Sequence, residues 1–281
     1  MIIAQISDPH IVRPGSLFRC PAKGTSPDAV RDFCEFDTAP YLARAVSALN
    51  ALVPRPDITV LTGDLVDNGT PEEYEHLRHL LAPLAMPLFV IPGNHDAREP
   101  LRQAFFSDGY LPAAGYLQYA LEDYPLRIVA LDTLAAGTHG GALCAERLAW
   151  LDATLGARLS QPTLVLMHHP PFATGISYMD KYWMADAEAL AKIVARHSQV
   201  ERILCGHLHR AIDRRFAGTV AGTVPSTAHQ LRLNLVPEAQ ISFIFEPPGY
   251  QLHLWDENSG LVTHTAVLGD WPGPDLVRAA S

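Results

Sequence analysis

The chain has 281 residues, 48% hydrophobic and 18% charged, which excludes a disordered chain or a coiled coil and allows one large domain or two small ones. Lys and Arg total 21 against 30 Asp and Glu, a formal net charge of −9, and this disfavours sequence-independent binding to nucleic acid or membrane surfaces, which needs clustered positive charge. No apolar stretch reaches transmembrane length and Met1-Ile2-Ile3-Ala4-Gln5 is neither basic nor a long apolar leader, so a soluble, cytoplasmic chain is expected.

Met1 to Ser7 is a short apolar run that ends in polar residues, as a buried strand does. Arg13 to Asp37 is loop-like, broken by Pro14, Gly15, Pro21, Gly24 and Pro27. Leu42, Ala45, Val46, Leu49 and Leu52 follow helical spacing, with Thr38 and Pro40 at the entry. Ile58 to Leu61 is the next strand. Thr70-Pro71-Glu72-Glu73 has the form of a capping box and opens a helix with Tyr74, Leu77, Leu81 and Leu84 on one face. Leu88–Ile91, Ile128–Leu131, Leu164–Met167 and Ile203–Cys205 read as strands, separated by helices through Leu148, Leu151 and Leu155 and through Leu190, Ile193 and Val194. After His209 come short β-like runs at Gly218–Thr223, Gln230–Leu235, Ile241–Phe245, Gln251–Trp255 and Leu261–Val267. Strand–helix alternation followed by consecutive strands predicts an α/β catalytic domain over residues 1–225. Residues 226–281 then form a β-rich portion that completes the sandwich or makes a cap or oligomer contact, compatible with a homo-oligomer.

The four cysteines, Cys20, Cys34, Cys144 and Cys205, form no CxxC pair and read as free thiols. The histidines are more informative. Five apolar strands each run into a polar cluster: Asp8-Pro9-His10, Gly63-Asp64 with Asp67-Asn68 beyond, Gly93-Asn94-His95-Asp96, His168-His169-Pro170, and Gly206-His207-Leu208-His209. In an open α/β sheet, groups at the carboxyl ends of strands converge. The convergent set is two carboxylates (Asp8, Asp64), one carboxamide (Asn94) and five imidazoles (His10, His95, His168, His207, His209), with no Lys or Arg in the motif cores. Paired carboxylates without a cation are costly, so a metal is implied. Mixed His and carboxylate donors suit Mn²⁺, Fe²⁺, Zn²⁺ or Co²⁺ better than Mg²⁺ or Ca²⁺. The donors exceed what one four-coordinate ion needs, and two ions sharing a bridging carboxylate is the economical reading.

These motifs, D-x-H, G-D, G-N-H-D, H-H-P and G-H-x-H in order from Asp8 to His209, resemble those of the calcineurin-like metallophosphoesterases. The spacing from Asp64 to Asn94, the Gly175-Ile176 and Met179-Asp180 segment, and the stretch from Gly222-Thr223-Val224 to His229-Gln230 look most like bacterial class III cyclic-nucleotide phosphodiesterases and the related glycerophosphodiesterase. The resemblance implies a four-layer αββα sandwich around a dinuclear centre. By its pattern Asp8, His10, Asp64 and His209 hold one ion, and Asp64, Asn94, His168 and His207 the other, with Asp64 bridging. His95 does not ligate but faces the phosphoryl group, and His169 is structural or supports a ligand. The implied activity is hydrolysis of a small phosphodiester, a cyclic nucleotide or a glycerophosphodiester, by attack of a metal-activated hydroxide.

Substrate-contacting residues are not identified by the motifs. Arg13–Asp37, with Arg13, Arg19 and Lys23, is either a wall of the site or an ordinary surface loop. Tyr178, Met179, Tyr182, Trp183 and Met184 could stack on a nucleobase, but packing or an interface is the preferred reading. His76, His79, His139, His197, His253 and His264 lack motif context and are expected at the surface or satisfied in the core, while His229 is left outside the metal set. A phosphomonoesterase or protein phosphatase with the same centre is the alternative, weakened because monoesters call for extra cationic clamps. A metal-free scaffold of the same fold would have no reason to keep every donor.

Overall fold

The structure, a computed structural model, describes residues 1–19 and 35–272. In chain order it contains β1 (Ile2–Ile6), β2 (Phe18–Arg19), β3 (Glu35–Phe36), α1 (Ala39–Ala51), β4 (Ile58–Thr62), α2 (Pro71–Leu81), β5 (Leu88–Ile91) and α3 (Arg98–Ala104). There follow β6 (Tyr119–Leu121), β7 (Arg127–Ala130), α4 (Ala145–Gly156), β8 (Thr163–Leu166), α5 (Ala187–Val194) and β9 (Val200–Cys205). The last elements are β10 (Ile212–Phe216), β11 (Thr219–Thr223), β12 (Gln230–Leu231), β13 (Phe243–Ile244), β14 (Gly249–Asp256) and β15 (Gly260–Val267).

Two sheets carry the architecture. One has strand order β15-β14-β1-β4-β5 and the other β10-β11-β9-β8-β7-β6. The alternation of side chains along each strand sends neighbouring residues into different cores. Ile3, Ile58 and Val60 face Ile128, Ala130, Leu164 and Leu166 between the sheets. Ala4, Ile6 and Leu61 face outward onto Leu42, Leu49, Tyr74 and Leu77 of α1 and α2. Val129, Val165 and Ile203 face outward on the other side, onto Leu151 and Leu155 of α4 and Leu190 and Ile193 of α5. The order is helix, sheet, sheet, helix. Strands buried on both faces have no polar face, which is why they appear in the sequence as continuous apolar runs.

The β1, β4 and β5 strands are parallel neighbours, as are β8 and β9, so their carboxyl ends gather at one edge of the sandwich. The helix after β4 begins where expected, with Pro71 in its first turn and the Glu73 carboxylate accepting from Asn68 N at 2.9 Å and Thr70 N at 3.2 Å. Leu52 and Leu84 fall just past the ends of their helices. β14 pairs antiparallel with β1 over Ile2–Gln5, placing strands from both ends of the chain side by side.

Five elements escape the sequence reading: α3, β6, β10 and the two-residue β2 and β3, which pair within the stretch read as a loop. β10 carries Asp213, Arg214 and Arg215 in succession, an edge strand with no apolar alternation that exists through its pairing with β11. Conversely, the expected strands Gln230–Leu235 and Ile241–Phe245 shrink to the two-residue β12 and β13, because Leu233, Leu235 and Phe245 are exposed and have no core to enter.

Candidate metal centre

Each motif turns sharply as it leaves its strand. Asp8, His10, Asp64, His207 and His209 all have positive φ, between 44° and 70°, a region that costs a non-glycine residue of order 1–3 kcal/mol and is held only by its surroundings. Here the holding groups are identifiable. Asp8 N donates to Gly63 O at 3.1 Å and His10 N to Asp64 O at 3.1 Å. The His207 N–H donates to both carboxylate oxygens of Asp8 at 3.1 and 3.2 Å. The turns press so closely that a Cβ on Gly93 would strike the Asp64 backbone and carboxylate, and one on Gly206 would strike Ser7, Thr62 and Asp8.

All eight residues expected at the centre come together, and Asp8, His10, Asp64, His168, His207 and His209 are buried. Their hydrogen bonds fix which ring nitrogens remain open. The His168 Nδ1–H donates to Thr62 O at 2.8 Å and the His209 Nδ1–H to His229 O at 2.8 Å, while the His10 Nδ1–H donates to Asp67 Oδ1 at 3.3 Å. In the neutral rings, Nε2 therefore carries a lone pair. His10 Nε2 and His209 Nε2 lie 3.2 Å apart, and His168 Nε2 lies 3.2 Å from Asn94 Oδ1. Asp64 Oδ2 is 3.6 Å from His10 Nε2 and 3.4 Å from His168 Nε2, and Asp8 Oδ1 is 3.4 Å from His209 Nε2. The buried His207 Nε2 has no hydrogen-bond partner. In neutral rings, lone pairs at such distances repel one another, and a shared proton or a metal cation between them removes the repulsion; four groups of these side chains have the spacing to hold an ion. Nitrogen and oxygen donors without sulfur fit a borderline divalent ion.

The electrostatics agree. Burial raises Asp8 to about 6 against the pull of His168, with the charge on Asp64 adding to the rise. Burial would also raise Asp64, but His168 and His95 overcome it and hold that carboxyl well below its usual range. Burial works against charge on His168, yet Asp64 and Asp8 lift it to about 9. His209 is pushed down to about 3 and His207 well below its ordinary value, by burial first and by neighbouring imidazoles second. A divalent ion entering here displaces a proton from His168 and meets His207 and His209 already unprotonated.

Asp64 stands between the two halves of the cluster. Its Oδ1 accepts the His95 N–H at 2.9 Å while Oδ2 faces the two Nε2 atoms. The His95 Nδ1–H donates to Asp67 O at 2.8 Å, which leaves its Nε2 for the cavity. His169 is committed elsewhere: Nδ1 accepts from Thr133 Oγ1 at 2.8 Å and Nε2–H donates to His139 O at 3.1 Å. His197 pairs with Asp152 at 2.8 Å, and His253 bridges Thr263 and Gln5.

Several residues at the site had no role assigned from the sequence, Asp96 among them although it closes the G-N-H-D motif. Asp96 lies beneath the two ligand turns, accepting from Gly93 N at 2.8 Å, Leu65 N at 3.1 Å and Tyr74 Oη at 2.8 Å. His229 is fully buried with both ring nitrogens unpartnered, and its ring centroid is 4.6 Å from that of His209. His139 is exposed, as expected, yet it meets the Asn94 carboxamide.

A cavity of about 320 Å³ opens above the centre. Phe18, Phe243, Leu231 and Ile241 line it, as do Tyr178, Met179 and Tyr182. Tyr178 also packs against the cluster of Ile176, Met179, Leu208 and Leu231, as the preferred packing reading expects; the chain after β8 folds back over the site, pinned where Asp180 accepts from Thr174 N at 2.7 Å and Gly175 N at 2.9 Å. Met184 does enter the core and Trp183 is exposed. Of the Arg13–Asp37 loop, Cys20 to Cys34, and with them Lys23, lie outside the described residues. Phe18 packs against His10 and His229, and Arg19 is the one Lys or Arg among the described residues of the cavity wall, paired with Glu35 at 3.0 Å. Cys144 and Cys205 are free thiols. No helix among the described residues is long and apolar enough to cross a membrane.

Residues 1–211 match the sequence profile described as calcineurin-like phosphoesterase. The chain is 36% identical over 275 residues to a probable glycerophosphodiester phosphodiesterase GpdQ of Arcobacter nitrofigilis, covering 98% of this chain and 96% of that one. It is 37% identical over 231 residues to a probable cyclic nucleotide phosphodiesterase of Rhodopseudomonas palustris, covering 81% and 84%. A crystal structure of a dimetal phosphatase from Danio rerio shares the fold, with a TM-score of 0.62 at 14% identity over 96% of this chain and 99% of that one.

Proposed function

The chain belongs to the calcineurin-like phosphoesterase family, and from that premise we propose that it is a binuclear metal-dependent phosphodiesterase acting on small diesters, cyclic nucleotides or glycerophosphodiesters. The observation that carries this reading is the set of imidazole Nε2 atoms, carboxylates and the Asn94 oxygen gathered at 3.2–3.6 Å from one another. Asp8, His10, Asp64 and His209 would hold one ion, and Asp64, Asn94, His168 and His207 the other, drawn from Mn, Fe, Zn and Co. Two bound ions supply hydroxide at neutral pH and neutralise the non-bridging phosphoryl oxygens.

The protein's own groups do the rest. The Asp67 carbonyl and the Asp64 carboxylate hold both ends of His95, the ring at Nδ1 and the backbone at N. Its Nε2 is the atom from which a proton passes to the leaving oxygen, a role typically worth 10²–10⁴-fold. Asp67 orients His10 through Nδ1, and the Thr62 and His229 carbonyls do the same for His168 and His209. Asn68 and Arg19 are at the cavity wall, but Arg19 is already neutralised by Glu35. That shortage of free cation among the described residues favours a singly charged diester over a doubly charged monoester.

The test is hydrolysis of bis(p-nitrophenyl) phosphate against p-nitrophenyl phosphate by metal-stripped protein reloaded with Mn²⁺, with Asn94→Ala as control. Preference for the diester, lost in the control, is the expected result. Preference for the monoester overturns the substrate reading, and inactivity on both overturns the catalytic one.

A further inference from the structure

Asn94 is the weakest donor in the proposed set. A neutral carboxamide ligates only through oxygen, and its two ends exchange by rotation about one soft bond. The orientation found has Oδ1 towards His168 Nε2 at 3.2 Å and Nδ2 towards His139 Nδ1 at 3.3 Å. With the neutral His168 ring that ligation demands, the reversed orientation has an attraction of its own, because Nδ2 would then donate to the lone pair of His168 Nε2. That bond would satisfy both groups and remove both as ligands. Some acceptor outside the centre must hold the NH₂ end away.

We propose that His139 is that acceptor: a positioning residue that selects the ligating orientation of Asn94, with His169 fixing His139 in turn. His139 reaches Asn94 from 45 residues away in sequence, on a segment wrapped around the His169 ring. His169 Nε2–H donates to the His139 carbonyl at 3.1 Å, and Thr133 Oγ1 donates to His169 Nδ1 at 2.8 Å. A Cβ on Gly141 would collide with the same ring, so the segment closes on His169 from both sides of His139. The His139 ring meets Tyr182 edge-on, with centroids 5.7 Å apart and planes at 85°. His139 must present Nδ1 as an acceptor, which the neutral ring protonated at Nε2 does. Both nitrogens of His169 are engaged in this support, which gives the second histidine of the H-H-P motif a task distinct from ligation.

The inference rests on Asn94 being a ligand of the second ion, and the experiment separates the two claims. Stepwise Co²⁺ binding is followed by calorimetry and visible absorption for the full chain and for Asn94→Ala, His139→Ala and His139→Gln, with thermal unfolding of each metal-free form. We expect Asn94→Ala to lose the second binding step. His139→Ala should weaken that step roughly 10-fold, the lower end for a residue supporting a ligand, while the first step and the unfolding temperature hold. His139→Gln should recover most of the loss, since its carbonyl also accepts from the amide. If His139→Ala leaves both steps within twofold while Asn94→Ala removes one, the positioning role is wrong and the metal reading stands. Equal weakening of both steps also overturns it, because it marks a general structural loss. If Asn94→Ala itself changes neither step, the metal assignment falls and this inference with it.

Discussion

Replacing Asp96 with alanine tests whether the two ligand turns are held from beneath. The carboxylate is 7% exposed and accepts the N–H of Leu65, next to Asp64, and the N–H of Gly93, next to Asn94. Alanine strands both backbone donors in a site where each unsatisfied group costs about 1–3 kcal/mol. Tyr74 loses an acceptor too, but its hydroxyl still accepts from Ala97 N at 2.9 Å, so its share is smaller. Part of the loss is offset, because burial and the nearby Asp64 already hold the Asp96 carboxyl up at about 6 and its removal relieves that cost. The balance is a loss of about 1–3 kcal/mol, the size of one stranded donor. Measured by urea unfolding of the metal-free protein, which removes the stabilisation contributed by bound ions, Asp96→Ala should lower the unfolding free energy by that amount, moving the midpoint down in proportion without changing the slope. Metal affinity should fall about 10–100-fold. Asp96→Asn, which keeps an acceptor oxygen, should retain most of both. Stability within about 0.5 kcal/mol of the parent, the range of an ordinary surface substitution, together with unchanged metal affinity would refute the supporting role.

His95→Ala should lower turnover by roughly 10²–10⁴-fold while metal content by elemental analysis stays near that of the parent; loss of metal would make His95 a ligand instead. Asp64→Ala should abolish two-ion occupancy, because one carboxylate faces both halves of the cluster; full metal stoichiometry would sink the bridging assignment. Cys144 has its thiol lowered to about 7 by the Tyr116 hydroxyl, 3.4 Å away, and by Arg147, so the thiolate form dominates above that pH and is lost below it. Iodoacetamide labelling at Cys144, read by peptide mapping, should rise with a midpoint near 7 and move upward in Tyr116→Phe; an ordinary thiol midpoint in the parent would show that the pair does not form. Buried Cys205, raised by burial, should label only on unfolding.

Much of the fold was legible because its core strands are buried on both faces. Ile58–Thr62 and Thr163–Leu166 are buried at every position and, threonines apart, apolar throughout for that reason, and Leu42, Leu49, Tyr74 and Leu77 repeat at helical spacing because one face of each helix meets a sheet. The short α3 and the charged edge strand β10 were not legible, since their pairing partners rather than their own periodicity make them regular. That the tyrosines after β8 line the cavity as well as pack was not legible for a related reason. Tyr178 and Tyr182 occupy a loop, where spacing gives no direction, and only the Asp180 turn that folds the loop over the centre decides that they face the cavity.

The donors proposed for the centre were legible in the chain alone. Short-range chemistry set them, an apolar strand running into a polar cluster five times over, and parallel strands must bring such clusters to one edge. The tertiary structure decided what holds each donor in place. Asp96 under two turns, the Thr62 carbonyl behind His168, the His229 carbonyl behind His209 and the His139 ring beside Asn94 come from segments up to 106 residues apart. Hydrogen bonds across such separations leave no period and no motif; they exist only once packing has fixed two turns within 3 Å of one another.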